Sequence, residues 1–221
     1  GGVLAGWLII CLWGMVDDRR SLAPLWKLLG QIVGASVLLA IGVQVHITRI
    51  AWLDGAITLL WVVGMTNAFN LVDSMDGLAL GLASIAASFF MLATIDSVQP
   101  ILSHLAAALL GASLGAFFLN AAPARMFLGD SGAQLIGFLL AAIGIAYTPG
   151  QAGLPQGVSW FTPILVLGVP IFDTALVIVS RLRRGLPIYR AGQDHTYHRL
   201  TRLGLDPTRS VLAMQLAAIV L

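Results

Sequence analysis

Five short polar clusters interrupt an otherwise apolar chain, and four of them carry aspartates: Asp17-Asp18-Arg19-Arg20, Asp73-Ser74-Met75-Asp76-Gly77, Gly129-Asp130-Ser131-Gly132 and Asp194-His195-Thr196-Tyr197-His198. The fifth is the basic run from Arg181 to Arg184. Asp73 and Asp76 are three residues apart, so on a helical turn they would share a face. Two carboxylates that close repel unless a cation or a proton sits between them. Asn67 and Asn70 repeat the same spacing just upstream. Oxygen ligands of this kind suit a divalent cation whose remaining shell comes from phosphates. Gly77 gives the backbone freedom to turn.

The other clusters fit the same chemistry. Asp17 and Asp18 are adjacent, and on a helix they point about 100° apart. They are therefore expected to do different jobs, one facing a metal or phosphate and the other pairing with Arg19 or Arg20. Asp130 and Ser131 precede an apolar run and can stand at a helix N-terminus, which donates N–H groups to anions or simply needs a cap. His195 and His198, beside Asp194, could contact a diphosphate or donate protons; two histidines at this spacing are too few for a zinc site. Asp173 lies inside an apolar run after Pro170, and Arg181, two helical turns on, is one choice of partner.

These residues need elements to hold them. The chain has 221 residues, of which 58% are apolar and only 10% charged, with mean hydropathy +0.92. A soluble domain carries about 25% charged residues, so the composition predicts an all-α, polytopic membrane bundle. Spans of about 20 apolar residues fall near 1–16, 24–44, 55–72, 77–95, 100–119, 131–148, 158–180 and 210–221. That makes about eight, the outer two incomplete, in a single integral-membrane domain over 1–221 that reads as cut at both ends. Glycine pairs inside the spans (Gly30 and Gly34, Gly111 and Gly115, Gly137 and Gly144) suit close helix approach. Cys11 is the one cysteine, so no disulfide forms within the chain.

Alternating the spans puts the connections near 17–23, 73–76, 120–130 and 181–209 on one side. That side holds eleven of the twelve Lys and Arg residues, Arg49 being the exception. The bias marks it as cytoplasmic. Of the ten acids only Asp54 and Asp96 face the other way. All five clusters thus share one membrane surface. A net charge of +2 gives no support to a nucleic-acid partner.

In order and spacing these motifs resemble those of the polyprenyl-phosphate N-acetylhexosamine-1-phosphate transferases, glycosyltransferase family 4. Asn67 to Leu78 is similar to the family's Asn-x-x-Asn-x-x-Asp-x-x-Asp-Gly-Leu signature, Asp17-Asp18 to its first aspartate pair, Asn120 to Gly132 to its Asn-x-x-Pro-Ala and Phe-Leu-Gly-Asp segment, and Asp194 to Leu200 to its terminal histidine loop. Tyr197 stands where the middle histidine of that loop usually stands, and Ala133 where a serine often follows the glycine.

The resemblance implies transfer of a HexNAc-1-phosphate from a UDP-sugar to polyprenyl (undecaprenyl) phosphate, with release of UMP. The setting would be the cytoplasmic face of a bacterial plasma membrane, at the first membrane step of cell-envelope glycan synthesis. It implies Mg²⁺, with Mn²⁺ as a substitute. Among the site residues, Asp130 and Asp73 are expected at the metal, Asp17 as the base or orienting group for the lipid phosphate, and Asp18 in support. Asp76 is expected at the diphosphate or uridine, and Phe127 stacked on uracil, with Asn67, Asn70 and Asn120 binding nearby. His195, His198 and Arg199 are expected on the diphosphate or sugar. The sugar and the oligomeric state are left open, a homodimer among the options. Two other readings compete. A CDP-alcohol phosphotransferase also begins Asp-x-x-Asp-Gly, but Leu80 and Gly81 stand where its Ala-Arg pair belongs. An ion-coupled transporter would place charges near the bilayer midplane and show repeated halves.

Overall fold

A computed structural model describes residues 2–149, 160–188, 192 and 194–221. Among them the chain is helical, without strands. The helices are α1 (Gly2–Arg20), α2 (Pro24–Ala40), α3 (Ala51–Val72), α4 (Leu78–Asp96), α5 (Pro100–Asn120), α6 (Gly129–Ala146), α7 (Phe161–Val166), α8 (Gly168–Arg183), α9 (Thr196–Arg202) and α10 (Pro207–Val220). Helices α3 to α6 are long and apolar enough to cross a membrane, and α2 is a shorter apolar helix. The expected spans at 55–72, 77–95, 100–119 and 131–148 correspond to these four helices. A lipid setting explains the choice of element, because a helix satisfies all its backbone polar groups internally.

The expected span at 158–180 is corrected in one respect. Its described part is two helices, α7 and α8, interrupted at Leu167. Pro170 has no N–H to return to the Val166 carbonyl, so the helical ladder cannot run unbroken through this point.

Helix α6 is the hub. It packs on α3 and α1 most extensively and also meets α4, α5 and α7, while α4 pairs with α5. Gly137 makes the α3–α6 contact possible: a Cβ there would lie 2.5 Å from the Met65 carbonyl oxygen and 2.8 Å from Thr66 Cα. Gly34 accepts the Ile10 side chain in the same way. Gly111 and Gly115 face nothing within 4 Å, so that pair does not mark a helix contact.

Several buried polar groups inside the bundle are paired. Thr58, Thr66, Ser84 and Thr94 each donate to the carbonyl four residues back. Gln31, Asn67 and Gln134 form an amide cluster joining α2, α3 and α6: Asn67 Nδ2 donates to Gln31 Oε1 at 2.6 Å, and Gln31 Nε2 donates to Gln134 Oε1 at 3.1 Å. At the end of the bundle away from the aspartate clusters, Asp54 accepts the N–H groups of Ile47 and Thr48. There Gln99 also pairs with the backbone of Thr148.

Candidate active site

Helix α1 delivers Asp17 and Asp18 on different faces. Asp17 is buried and Asp18 exposed. Asp17 Oδ1 accepts the Leu22 N–H at 2.8 Å, and its Oδ2 lies 2.5 Å from Lys27 Nζ. Asp18 crosses to α6. Its Oδ1 accepts the Asp130 N–H at 2.7 Å, and its Oδ2 accepts the Ser131 N–H at 3.2 Å and the Ser131 hydroxyl at 2.6 Å. The two side chains have different partners, as adjacent helical positions dictate, but the expected arginine partner is corrected: Lys27, at the start of α2, takes that place. The cap of α6 therefore comes from Asp18 and not from Asp130. Gly129 permits it. Its φ is +70°, and a Cβ would lie 3.1 Å from both Asp18 oxygens.

Freed from capping, the Asp130 side chain faces inward. Its Oδ2 accepts from Lys27 Nζ at 2.8 Å and its Oδ1 from Asn70 Nδ2 at 2.5 Å. Lys27 thus bridges two carboxylates, Asp17 and Asp130. The sequence reading assigned Lys27 only to topology; its role was not visible because the partner lies 103 residues away.

Helix α3 ends at Val72, and residues 73–77 form a turn that is not helical. The expected shared face of Asp73 and Asp76 is therefore corrected. Asp76 Oδ2 accepts the Ala124 N–H at 3.0 Å. Asp73 is turned to the other cluster: burial first, and then the negative charges of Asp130 and Asp18, raise its pKa to about 7. Among the described residues no hydrogen-bond donor reaches it.

Gly77 closes the turn at φ +76°, a conformation L side chains rarely adopt. Its N–H donates to Asn120 Oδ1 at 3.0 Å, and its carbonyl accepts from Gln215 Nε2 at 3.0 Å. Asn120 is buried, and its Nδ2 donates to the Met126 carbonyl at 2.8 Å. Here it braces the turn against the 120–126 segment. Asn67 serves the amide cluster, one helical turn deeper than Asn70. Phe127 is exposed on the same segment.

Beyond the turn lies a cavity of about 470 Å³, whose lining includes Ser74, Asp76, Tyr197, His198, Thr201 and Thr208. Burial lowers the His198 pKa, helped by His195 and Arg202. His195 is buried behind this wall, with Nδ1 2.8 Å from Asp173 Oδ2. Asp173 is thus partnered by His195, not by Arg181. Arg181 instead pairs with Asp194 at 3.2 Å, as does Arg184. Burial opposes the charge on Asp194, but these two guanidinium groups prevail and hold its carboxyl below the usual range. Arg199 is exposed, with Nε 3.4 Å from the Asp194 carbonyl. Arg190 lies outside the described residues.

The donors available to a cation are hard oxygens: Asp17, Asp130 and Asp73. Asp17 Oδ2 is buried without a hydrogen-bond donor, and its close approach to Lys27 is an ion pair without hydrogen-bond geometry. Among the described residues no three acidic, histidine or cysteine groups already close into a cage. Carboxylate oxygens of this kind suit a hard divalent cation, with phosphates and water completing its shell.

A helical bundle with Asp17, Asp18, Lys27, Asp73, Asp76, Asp130, His195 and His198 gathered at one end defines a multi-pass membrane protein with a polar centre at that end. The chain belongs to glycosyl transferase family 4, whose sequence model matches residues 1–148. It is 32% identical to the probable undecaprenyl-phosphate N-acetylglucosaminyl 1-phosphate transferase of Bacillus subtilis, over 97% of this chain and 62% of that protein. It is 34% identical to the decaprenyl-phosphate N-acetylglucosaminephosphotransferase of Mycobacterium tuberculosis H37Rv, over 97% of this chain and 60% of that protein. It is 36% identical to the phospho-N-acetylmuramoyl-pentapeptide-transferase of Limosilactobacillus reuteri DSM 20016, over 73% of this chain and 56% of that protein. The chain spans about three fifths of the length of the curated relatives it matches.

Proposed function

We propose that this chain transfers an N-acetylhexosamine-1-phosphate from a UDP-sugar to polyprenyl phosphate at the cytoplasmic face of a bacterial plasma membrane. The observation that carries the reading is the convergence of Asp17, Asp18, Lys27, Asp73 and Asp130 from four separate segments. Three relatives named as phospho-sugar transferases, two of them acting on a polyprenyl phosphate, support it. In the reaction an oxygen of the lipid phosphate attacks the phosphorus that bears the sugar. The bond from that phosphorus to the bridging oxygen of UMP breaks, and UMP leaves with the electron pair.

Both substrates are anionic, so the site must neutralise and align them more than form covalent bonds. Lys27 supplies a positive charge between Asp17 and Asp130. Asp130 and Asp73 would hold Mg²⁺, with Asp17 adjoining. When bound, the ion screens the diphosphate charge and stabilises the leaving oxygen. Asp17 orients the lipid phosphate; a phosphate with a second pKa near 6 is already mostly ionised, so little deprotonation is needed. Asp18 fixes Asp130 by capping α6. Asn70 holds Asp130 Oδ1. Asp76 and His198 line the cavity proposed for the nucleotide-sugar, and the exposed Phe127 and Arg199 are assigned to the same ligand by their place in the family motifs.

A second cavity, of about 760 Å³, runs between α7, α8 and α10. Its walls include Leu165, Val169, Phe172 and Met214, and it reaches Thr196 and Leu200 of α9. An apolar groove that opens beside the histidine segment suits a prenyl chain.

The test is a purified preparation given labelled UDP-N-acetylglucosamine, Mg²⁺ and undecaprenyl phosphate. Lipid-linked label with equimolar UMP is expected. A strict requirement for a CDP-alcohol, or uptake of solute into vesicles without UMP release, would overturn the reading. A panel of UDP-sugars in the same assay identifies the donor.

A further inference from the structure

Asp173 has no task in the reaction above, yet it is wholly buried in α8. An ionised group at such a position is costly without partners. Both of its oxygens are spent on the start of the histidine segment. Oδ2 is 2.8 Å from His195 Nδ1, and Oδ1 accepts the Thr196 N–H at 2.6 Å. His195 is itself 5% exposed. Its ring stacks nearly parallel to Tyr197, at 11° and 5.7 Å, and the Tyr197 ring lies 4.1 Å from that of His198. Tyr197 and His198, not His195, form the cavity wall facing Asp76. Tyr197 and Ser74 of the aspartate turn line the same cavity.

We propose that Asp173 and His195 are a positioning pair: the buried carboxylate fixes the imidazole through Nδ1–H, and that ring in turn sets Tyr197 and His198 against the Ser74–Asp76 turn. His195 acts by holding, and His198 by touching substrate. Asp194, clasped by Arg181 and Arg184, is a second latch two helical turns further along α8. The two latches bring the returning chain to α8 in one register. Tyr197, where the family pattern has a histidine, fits this division: it is a buried spacer between a fixed ring and a half-buried one.

The inference rests on the transferase reading for its kinetic arm only. Asparagine presents an amide N–H close to where a histidine carries Nδ1–H, and glutamine does not. His195→Asn should therefore keep most of the activity, whereas His195→Gln and Asp173→Asn should raise KM for the UDP-sugar about tenfold while changing kcat little. The double variant Asp173→Asn/His195→Gln should be no worse than either single one, because both break the same contact. The kinetic arm overturns the proposal if His195→Asn and His195→Gln both lose about a hundredfold in kcat at unchanged KM, for then His195 meets the reacting groups directly.

Nitrogen-15 histidine NMR of the detergent-solubilised protein decides the pair without any turnover. A downfield Nδ1–H signal is expected, and it should be lost in Asp173→Asn. Its persistence in that variant would overturn the proposal even if no UDP-sugar were used. If Asp173→Asn does not fold, the near-isosteric Asp173→Leu is measured instead: loss of the downfield signal is again expected, and its persistence would overturn the proposal.

Discussion

Asp18 Oδ1 accepts the backbone N–H of Asp130 across 112 residues of sequence, at 2.7 Å. One carboxylate thereby aims another. The cap satisfies two N–H groups at the start of α6 and leaves the Asp130 side chain free for Lys27 and Asn70. Asp18→Ala should cost about 0.5–2 kcal/mol of stability as a lost cap. Turnover should fall further, by about a hundredfold, because a small displacement of an aligned group is expensive. Thermal unfolding and the UMP assay together check both halves; a variant that is destabilised but fully active would refute the aiming role.

Among the described residues, Lys27 is the cation that pairs with Asp17 and with Asp130. Lys27→Met leaves those carboxylates facing each other. Turnover should fall by about a hundredfold. Added Mg²⁺ should raise the melting temperature of this variant more than that of the unaltered protein, since the metal then neutralises the pair alone. An equal Mg²⁺ effect in both proteins would show that the ion binds elsewhere.

The pKa of Asp73 makes a signed prediction. The folded protein keeps a proton on Asp73 up to about pH 7, while the unfolded chain loses it near the ordinary carboxylate value of 3.8. Between those values the folded state binds more protons, so this group's contribution to stability falls as pH rises and levels off above the folded pKa. Metal-free protein should lose melting temperature between about pH 4 and about pH 7, and Asp73→Asn should lose less. Mg²⁺ should restore more stability at the higher pH, where the carboxylate is ionised. Identical profiles for Asp73→Asn and the unaltered protein would refute the assignment.

Asn120 separates a structural role from a binding one. Asn120→Ala orphans the Gly77 N–H and the Met126 carbonyl, at a cost of about 1–3 kcal/mol. Denaturation in detergent should register that loss. A normal melting temperature with a raised KM for UDP-sugar would favour the direct substrate contact that the sequence suggested.

The two glycine positions give a paired control. Gly137→Ala drives a methyl into the α3 backbone and should destabilise by about 1–3 kcal/mol. Gly111→Ala meets open space and should be neutral within about 0.5 kcal/mol. Equal effects in the two variants would mean that α3 and α6 do not pack as described.

The sequence carried the spans well, because about 20 apolar residues between polar breaks is a length signal that needs no partner. Helix α3, expected at 55–72, ends at Val72. The common address of the aspartates was also legible, since parity alone assigns each connection to an end of the bundle. What stayed hidden was rotation. Helices α3, α4 and α5 are apolar nearly all round, so no stripe marks which face meets a neighbour. Hence the Lys27 bridge, the Gln31–Asn67–Gln134 cluster and the Asp173–His195 pair could not be read from spacing. The break at Leu167 carried a local signal in Pro170, but hydropathy averaged over the span smoothed it away. The turn at 73–77 was misread as helical because an i, i+3 pattern looks the same in either conformation.

Gln215 on α10 reaches over Gly81 to hold the carbonyl of Gly77, the residue whose N–H is held by Asn120. The late helix is therefore wired to the aspartate turn through one amide. A lipophilic compound wedged between α10 and α4 could cut that wire and slacken the turn without approaching any carboxylate, which makes a membrane-facing seam a target for inhibition independent of the nucleotide.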